Sequence, residues 1–473
     1  MKRHYGILLV LIGLLLSQLG CNFLAGAESI IEPESELAQQ STDQDETDVQ
    51  AIPVTDDSTS EELPADPPAT DLISPQDLQY MGAFRLPEGS NESTWEYSGY
   101  AMTFYPDGDP TGPADTTPGS LFILGHDQQQ MVSELAIPQP IISGSKNLEE
   151  LNTADTLQPF ADITNGMFGN LEIPRAGLAY LPDPDGLSAG LLHFAWGQHL
   201  QYFEASHGWS GIDLSDPQPA GPWHFGGYTN YISNDYLFEI PPEWAASIGA
   251  DYRLASGRFR DGQWSGLGPA LLAYAPFPAT APAAAGTTIT TIKPLLLYGS
   301  TLAEIPEIQL DENVRMESFS EPDEWSGAAW LTTADQAAVI FVGTKAIGRS
   351  WYGFGNGVEF PISEDPNTVY PEVPDWPHDS RGYWSEEIAG QILFYNPHDL
   401  VAVANGTMQS GEPQPYAVLD LNPYLYDPGF DYEADKNYVL GAVAFDRENG
   451  ILYIVERRVD EEKSIIHVFE IQS

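Results

Sequence analysis

Short apolar runs recur along the chain, each opened by a small residue and a glycine. The openings are Ser98-Gly99-Tyr100-Ala101, Ala176-Gly177-Leu178-Ala179, Leu267-Gly268-Pro269-Ala270 and Ser326-Gly327-Ala328-Ala329, with a looser copy at Leu440-Gly441-Ala442-Val443-Ala444. A second apolar run follows each one, over residues 119–124, 190–196, 294–298, 337–342 and 450–455. Polar turns such as Pro106-Asp107-Gly108 and Asp446-Arg447-Glu448-Asn449-Gly450 separate several of the pairs, and such turns between apolar runs are hairpin signals. Residues 131–137 and 465–471 read as further strands. A repeated strand–turn–strand unit cannot bury both its own faces, so it needs a neighbour on each side. That predicts an all-β chain folded as a single β-propeller over residues 75–473.

The opening glycines lie 78, 91, 59 and 114 residues apart, whereas a four-stranded blade needs about 40–50. The longer gaps predict insertions or further blades. Residues 391–395 with 416–419 supply material for one extra blade and 228–240 for another, giving five to seven blades. The pairing of a Gly-x-Ala strand with a Gly-x-Leu-Tyr-like strand resembles the broad six-bladed and NHL-type β-propeller superfamily. Propellers of that kind include hydrolases, lyases, phytases and pure binding scaffolds, so the resemblance implies a fold and leaves the activity open.

Composition adds a second constraint. The chain holds 69 acidic residues against 18 Lys and Arg, a formal charge of −51. Such a surface repels nucleic acid and anionic lipid, both of which need basic groups to replace counterions. It is compatible with Ca²⁺ binding or with salty surroundings.

The N-terminus, Met1-Lys2-Arg3-His4 followed by apolar residues 7–16, has the form of a secretory signal. The only cysteine, Cys21, ends Leu19-Gly20-Cys21 in the manner of a lipobox, although Gln18 stands where that pattern wants Leu, Val or Ile. The reading is an exported protein with a signal over residues 1–21, anchored to the cell envelope by lipid at Cys21 and by no other membrane contact. The alternative is secretion after cleavage at Ala27, the end of Ala25-Gly26-Ala27. Residues 22–74 hold 14 acids, no bases and few large apolar groups, which predicts a disordered acidic tether. The globular part is expected to be a monomer.

Candidate chemistry comes from the ends of the second apolar runs. His126-Asp127, His199, Ser300, Lys345 and Glu456-Arg457 stand there, and pseudo-symmetry would gather them at one mouth of the central channel. His126, His199 and Lys345 are the candidate acid–base groups for a propeller hydrolase or lyase. Between residues 193 and 224 four histidines alternate with aromatics at spacings that match no zinc pattern. Trp196, Tyr202, His207 and His224 there, with His378, Arg381 and Trp384 in a proline-rich stretch, are candidates to bind a polar small molecule or a glycan by ring stacking and hydrogen bonding. No cofactor is fixed by a motif. Asp107, Asp109 and Asp127 are candidate Ca²⁺ ligands, and the turns at Asp107/Asp109/Asp115 and Asp183/Asp185 only loosely resemble calcium loops. Two functions therefore stand: a surface-displayed binding module for a polar ligand, or a hydrolase or lyase that uses a divalent cation.

Overall fold

The computed structural model describes residues 64–109, 118–171, 173–182, 189–198, 202–258, 265–300, 308, 310–363, 365–376, 378–428 and 438–472. Two N-terminal strands, β1 (Asp71–Leu72) and β2 (Leu78–Arg85), precede the first complete blade and join sheets completed much later in the chain. The first blade is β3 (Met102–Tyr105), β4 (Ser120–Leu124), β5 (Val132–Ala136) and β6 (Thr156–Ala161). The second is β7 (Pro174–Leu181), β8 (Leu191–Gln198), β9 (His207–Ser210) and β10 (Ala220–Phe225). In the third, β11 (Tyr236–Glu239), β12 (Leu254–Arg258) and β13 (Ala270–Tyr274) precede β14 (Thr288–Ile289), which pairs with β10, and β15 (Ile292–Leu296), which completes the blade.

The fourth blade is β16 (Glu324–Thr332), β17 (Gln336–Phe354), β18 (Arg381–Tyr395) and β19 (Ala417–Asp420), with β1 parallel to the start of β17. The fifth is β20 (Leu440–Asp446), β21 (Ile451–Asp460) and β22 (Lys463–Ile471), completed by β2. The chain is thus a five-bladed β-propeller. Pairing of β2 with β22, from Leu78 opposite Ile471 to Arg85 opposite Ile465, closes the ring by joining its two ends.

Packing explains why the strands read as apolar runs rather than as strict alternation. Every blade lies between two others, so both faces of its sheet are covered. One apolar cluster fills each interface: Phe122 with Phe194 between the first two blades, Trp223 with Leu272 at the next, Tyr236 with Phe341, Ile340 with Leu452, and Leu121 with Tyr453 across the closure. Full burial of one such side chain contributes about 1.5–3 kcal/mol.

The repeated glycines have a geometric cause. Around the axis, β3 touches β7, β7 touches β11, β11 touches β16, β16 touches β20, and β20 returns to β3. A Cβ on Gly177 would press on Leu237, one on Gly327 on the Gly441 carbonyl, and one on Gly441 on the Gly99 carbonyl. The Gly99 carbonyl also accepts a 2.8 Å hydrogen bond from Ala442 N across this seam.

Blade count falls at the lower end of the expected five to seven, so the likeness to six-bladed propellers does not extend to the number of blades. Gly268 precedes β13, the third strand of its blade, and does not open an inner strand. Residues 391–395 and 416–419 complete the fourth blade instead of forming another, and the stretch 228–240 supplies the inner strand of the third. No helix among the described residues is long and apolar enough to cross a membrane.

Candidate functional site

At one end of the axis the five inner strands open into a cavity of about 450 Å³. Prolines 106, 182 and 242 stand just past the ends of β3, β7 and β11 and form part of its rim. Proline offers no N–H to a ladder, so it suits a strand's end. Phe104, Tyr180, Phe238, Trp330 and Phe445 line the wall. Trp330 is buried against Trp244, with ring centroids 5.4 Å apart, and Trp244 belongs to the helix Pro242–Ile248 that follows β11.

A three-membered ionic group spans the mouth of this cavity. Glu239, at the end of β11, accepts from Arg253 at 2.6 Å on one oxygen and from Arg447 at 2.6 Å on the other. Arg253 leads into β12 in the same blade, while Arg447 comes from the turn after β20 in the fifth blade. The carboxylate therefore ties two non-adjacent blades across the opening. All three side chains keep part of their surface open to solvent. Asp446 and Glu448 complete the polar rim. Burial raises the Asp446 carboxyl above its ordinary pKa, against the opposing hydrogen bonds from Asn449. Burial, followed by the neighbouring Tyr105, Asp107 and Glu239, pushes the Tyr180 hydroxyl up to about 12, so it remains a proton donor, here to the Ala189 carbonyl at 2.9 Å.

The opposite end of the axis is closed by buried charge. The guanidinium groups of Arg175 and Arg457 both stand over the Tyr100 ring, 4.4 and 4.0 Å from its centre. Arg457 faces Glu324 at 3.7 Å, and Asp235 faces Arg258 at 3.2 Å and Arg175 at 3.9 Å. Lys345 donates to both oxygens of Asp323, at 2.8 and 3.0 Å, and Ala346 N adds a third hydrogen bond at 2.9 Å. Burial pushes Asp323 up to about 6, with Lys345 opposing the shift.

His126, Asp127 and Lys345 all lie toward this closed end. His126 Nδ1 is 3.2 Å from Asp127 Oδ1 and accepts from Gln128 N at 3.1 Å. Burial raises the Asp127 pKa, while His126 and Arg457 pull it down. Ser300 has a different place from the others, because the second strand of its blade is β12, which ends at Arg258. His199, Asp115, Asp183, Asp185 and Cys21 lie outside the described residues.

The expected ligand-binding residues divide among separate surroundings. Trp196 is buried between the first two blades and donates from Nε1 to Gln130 at 2.7 Å. His207 is buried between Ser206 and Ser256, at 3.0 and 3.1 Å, with its ring flat on Phe225 at 4.1 Å. Burial brings both His207 and neighbouring His193 down to about 3, so both stay neutral. Tyr202 is half exposed, and the His224 backbone pairs with β14. His378, Arg381 and Trp384 belong to a hairpin extension of the fourth blade. There Arg381 covers the Phe360 ring at 4.3 Å, and Trp384 Nε1 donates to the Gly353 carbonyl at 3.2 Å. Asp107 and Asp109 stand in the turn after β3. Among the described residues no group of three or more His, Cys, Asp or Glu is placed to hold a metal ion.

Glu239, Arg253, Arg447 and Trp330 escaped the sequence reading. Their signal was the rarity of arginine in so acidic a chain, which makes Arg253 and Arg447 conspicuous once both meet one carboxylate.

No family model matches the chain, and no curated protein matches it. Among solved structures it is similar to the β-propeller domain of Myceliophteria thermophila Cps50 (Swd1), with 10% sequence identity, covering 82% of this chain and 100% of that one, at a TM-score of 0.24.

Proposed function

We propose that this chain is a binding module, exported and anchored through lipid at Cys21, whose axial cavity takes a polar ligand, in particular the terminus of a glycan. The observation that carries this reading is the cavity, where all five blades meet in one recess with an aromatic wall and a charged rim. Its volume falls within the usual range for small-ligand sites, roughly 300–1,000 Å³. Sugar rings present C–H groups that pack on aromatic faces, while their hydroxyls need fixed donors and acceptors. Arg253, Glu239 and Arg447 offer both, and their mutual pairing holds them in place before a ligand arrives, which reduces the ordering cost of binding. The hydrolase or lyase reading has less support. His126 and Lys345 each engage a neighbouring carboxylate, and neither lines the cavity.

An array of neutral and acidic glycans, followed by calorimetric titration of the best binder, tests the ligand class. The expected result is binding by the wild type and an affinity about tenfold lower in Arg447→Ala, equivalent to about 1.4 kcal/mol. An empty array, or equal affinity in the variant, contradicts the reading. Export and anchoring are tested separately by metabolic labelling with a palmitate analogue. The wild type should take up label and Cys21→Ala should not. An unlabelled mature chain starting at Glu28 would instead mark cleavage after Ala27.

A further inference from the structure

The fourth blade carries an arm found on no other blade among the described residues. Strands β17 and β18 remain paired beyond Lys345, from Ala346 opposite Ile388 to Phe354 opposite Arg381, past the closed end of the axis. The arm has a small aromatic core of its own. Tyr352 packs on Tyr383 at 5.0 Å, and Phe360 stacks on Tyr370 at 4.8 Å beneath Arg381. Trp351 Nε1 also donates to the Phe354 carbonyl at 3.0 Å. Its tip is therefore held in shape. Prolines 361, 366, 371 and 374 restrict it further.

That tip displays the most exposed large apolar side chains among the described residues. Val369 is 87% exposed, Trp376 83% and Ile362 72%, the three highest values for large apolar side chains among the described residues, and Val373 is 62% exposed. Residues 346–389 hold eight acids and two bases. An exposed Trp with exposed aliphatic side chains on one short stretch, inside an acidic surround, has the composition of an interface centre, where a Trp supplies the anchor.

We infer that the arm is a docking element for a protein partner whose receiving surface is basic and carries an apolar pocket. Charge selects this occupant over the others. A second copy would set two acidic arms together, and both it and an anionic lipid surface would be repelled. A basic partner gains from the same field, and its apolar pocket would cover Val369 and Trp376.

A photo-reactive phenylalanine analogue at position 362 of the full chain, introduced in cells that make the protein, would fix the partner covalently for identification. The captured protein is then purified and its affinity for unmodified chain measured. Val369→Asp and Trp376→Ala should each weaken binding at least tenfold, and raising the salt from 50 to 500 mM should weaken it severalfold. Both side chains are largely exposed, so thermal unfolding of the variants should match the wild type. Cross-links only to a second copy, to lipid or to glycan, or none at all, would overturn the inference. So would a captured protein whose affinity ignores both substitutions or the salt.

Discussion

Lys345 owes its position to one buried carboxylate. The Asp323 side chain is fully buried, and Lys345 is the cation that bonds it. Because Asp323 is raised to about 6 in the fold, above its ordinary value of 3.8, the folded state holds the proton more tightly than the unfolded one. Its contribution to stability is fullest below about pH 4 and is lost as pH rises through about 6. Removing Lys345 would raise the folded value further and deepen the loss at high pH. Lys345→Met should cost about 3–5 kcal/mol at pH 8, where a buried charge is left without its partner. The cost should be smaller by about 2 kcal/mol at pH 5, where Asp323 is largely protonated. Urea unfolding at the two pH values decides this, and equal losses would show that the pair does not couple as described. The neutral histidines illustrate a limit of residue-level reading. His193 and His207 are conspicuous in the sequence because of their aromatic neighbours, yet those neighbours, including Phe225 against His207, are what exclude water from them.

Among the elements, the inner strands carried the clearest signal, and its physical origin also explains where it lapsed. Glycine is required where an inner strand comes closest to its neighbour, as Gly177 does to Leu237, Gly327 to the Gly441 carbonyl and Gly441 to the Gly99 carbonyl. β11 instead carries Tyr236 and Leu237 and has no opening glycine, with Gly177 of β7 packed against Leu237. The opening at Gly268 therefore falls before β13, the third strand of that blade. The 114-residue gap between Gly327 and Gly441 has another cause, the arm inserted between the halves of β17 and β18 that belong to the blade. Hairpin turns and apolar runs were legible because they are local. Strand order and the pairing of β2 with β22 were not, since nothing near Leu78 points to Ile471. The seam itself is testable. Gly441→Ala would drive a methyl into the Gly99 carbonyl and should cost about 3 kcal/mol, toward the upper end for overpacking. Gly144, with nothing within 4 Å, serves as the control, and its change to Ala should alter stability by less than about 0.5 kcal/mol. Equal effects from the two substitutions in denaturant titrations would remove the close-packing explanation for the glycine repeat.

For the molecule as a whole, five blades around one axis give it two unlike ends. One is sealed by buried ion pairs around Tyr100, and the other opens into the cavity spanned by Glu239 and its two arginines. The ends of the second strands, where ionisable residues recur in the sequence, lie at the sealed end. The open end is built from wall residues scattered over all five blades, among them Phe104, Tyr180 and Trp330, and no local pattern links them. Its charged clamp joins Glu239 to Arg447 over 208 positions of chain. The most direct test of the central claim is a crystal structure of the protein with the best-binding glycan, read for where the sugar density lies. The expected result is a sugar ring in the axial cavity against the aromatic wall, with hydroxyls on Glu239 and Arg447. Sugar bound at the sealed end, on an outer face of a blade or on the arm, with the cavity empty, would contradict it.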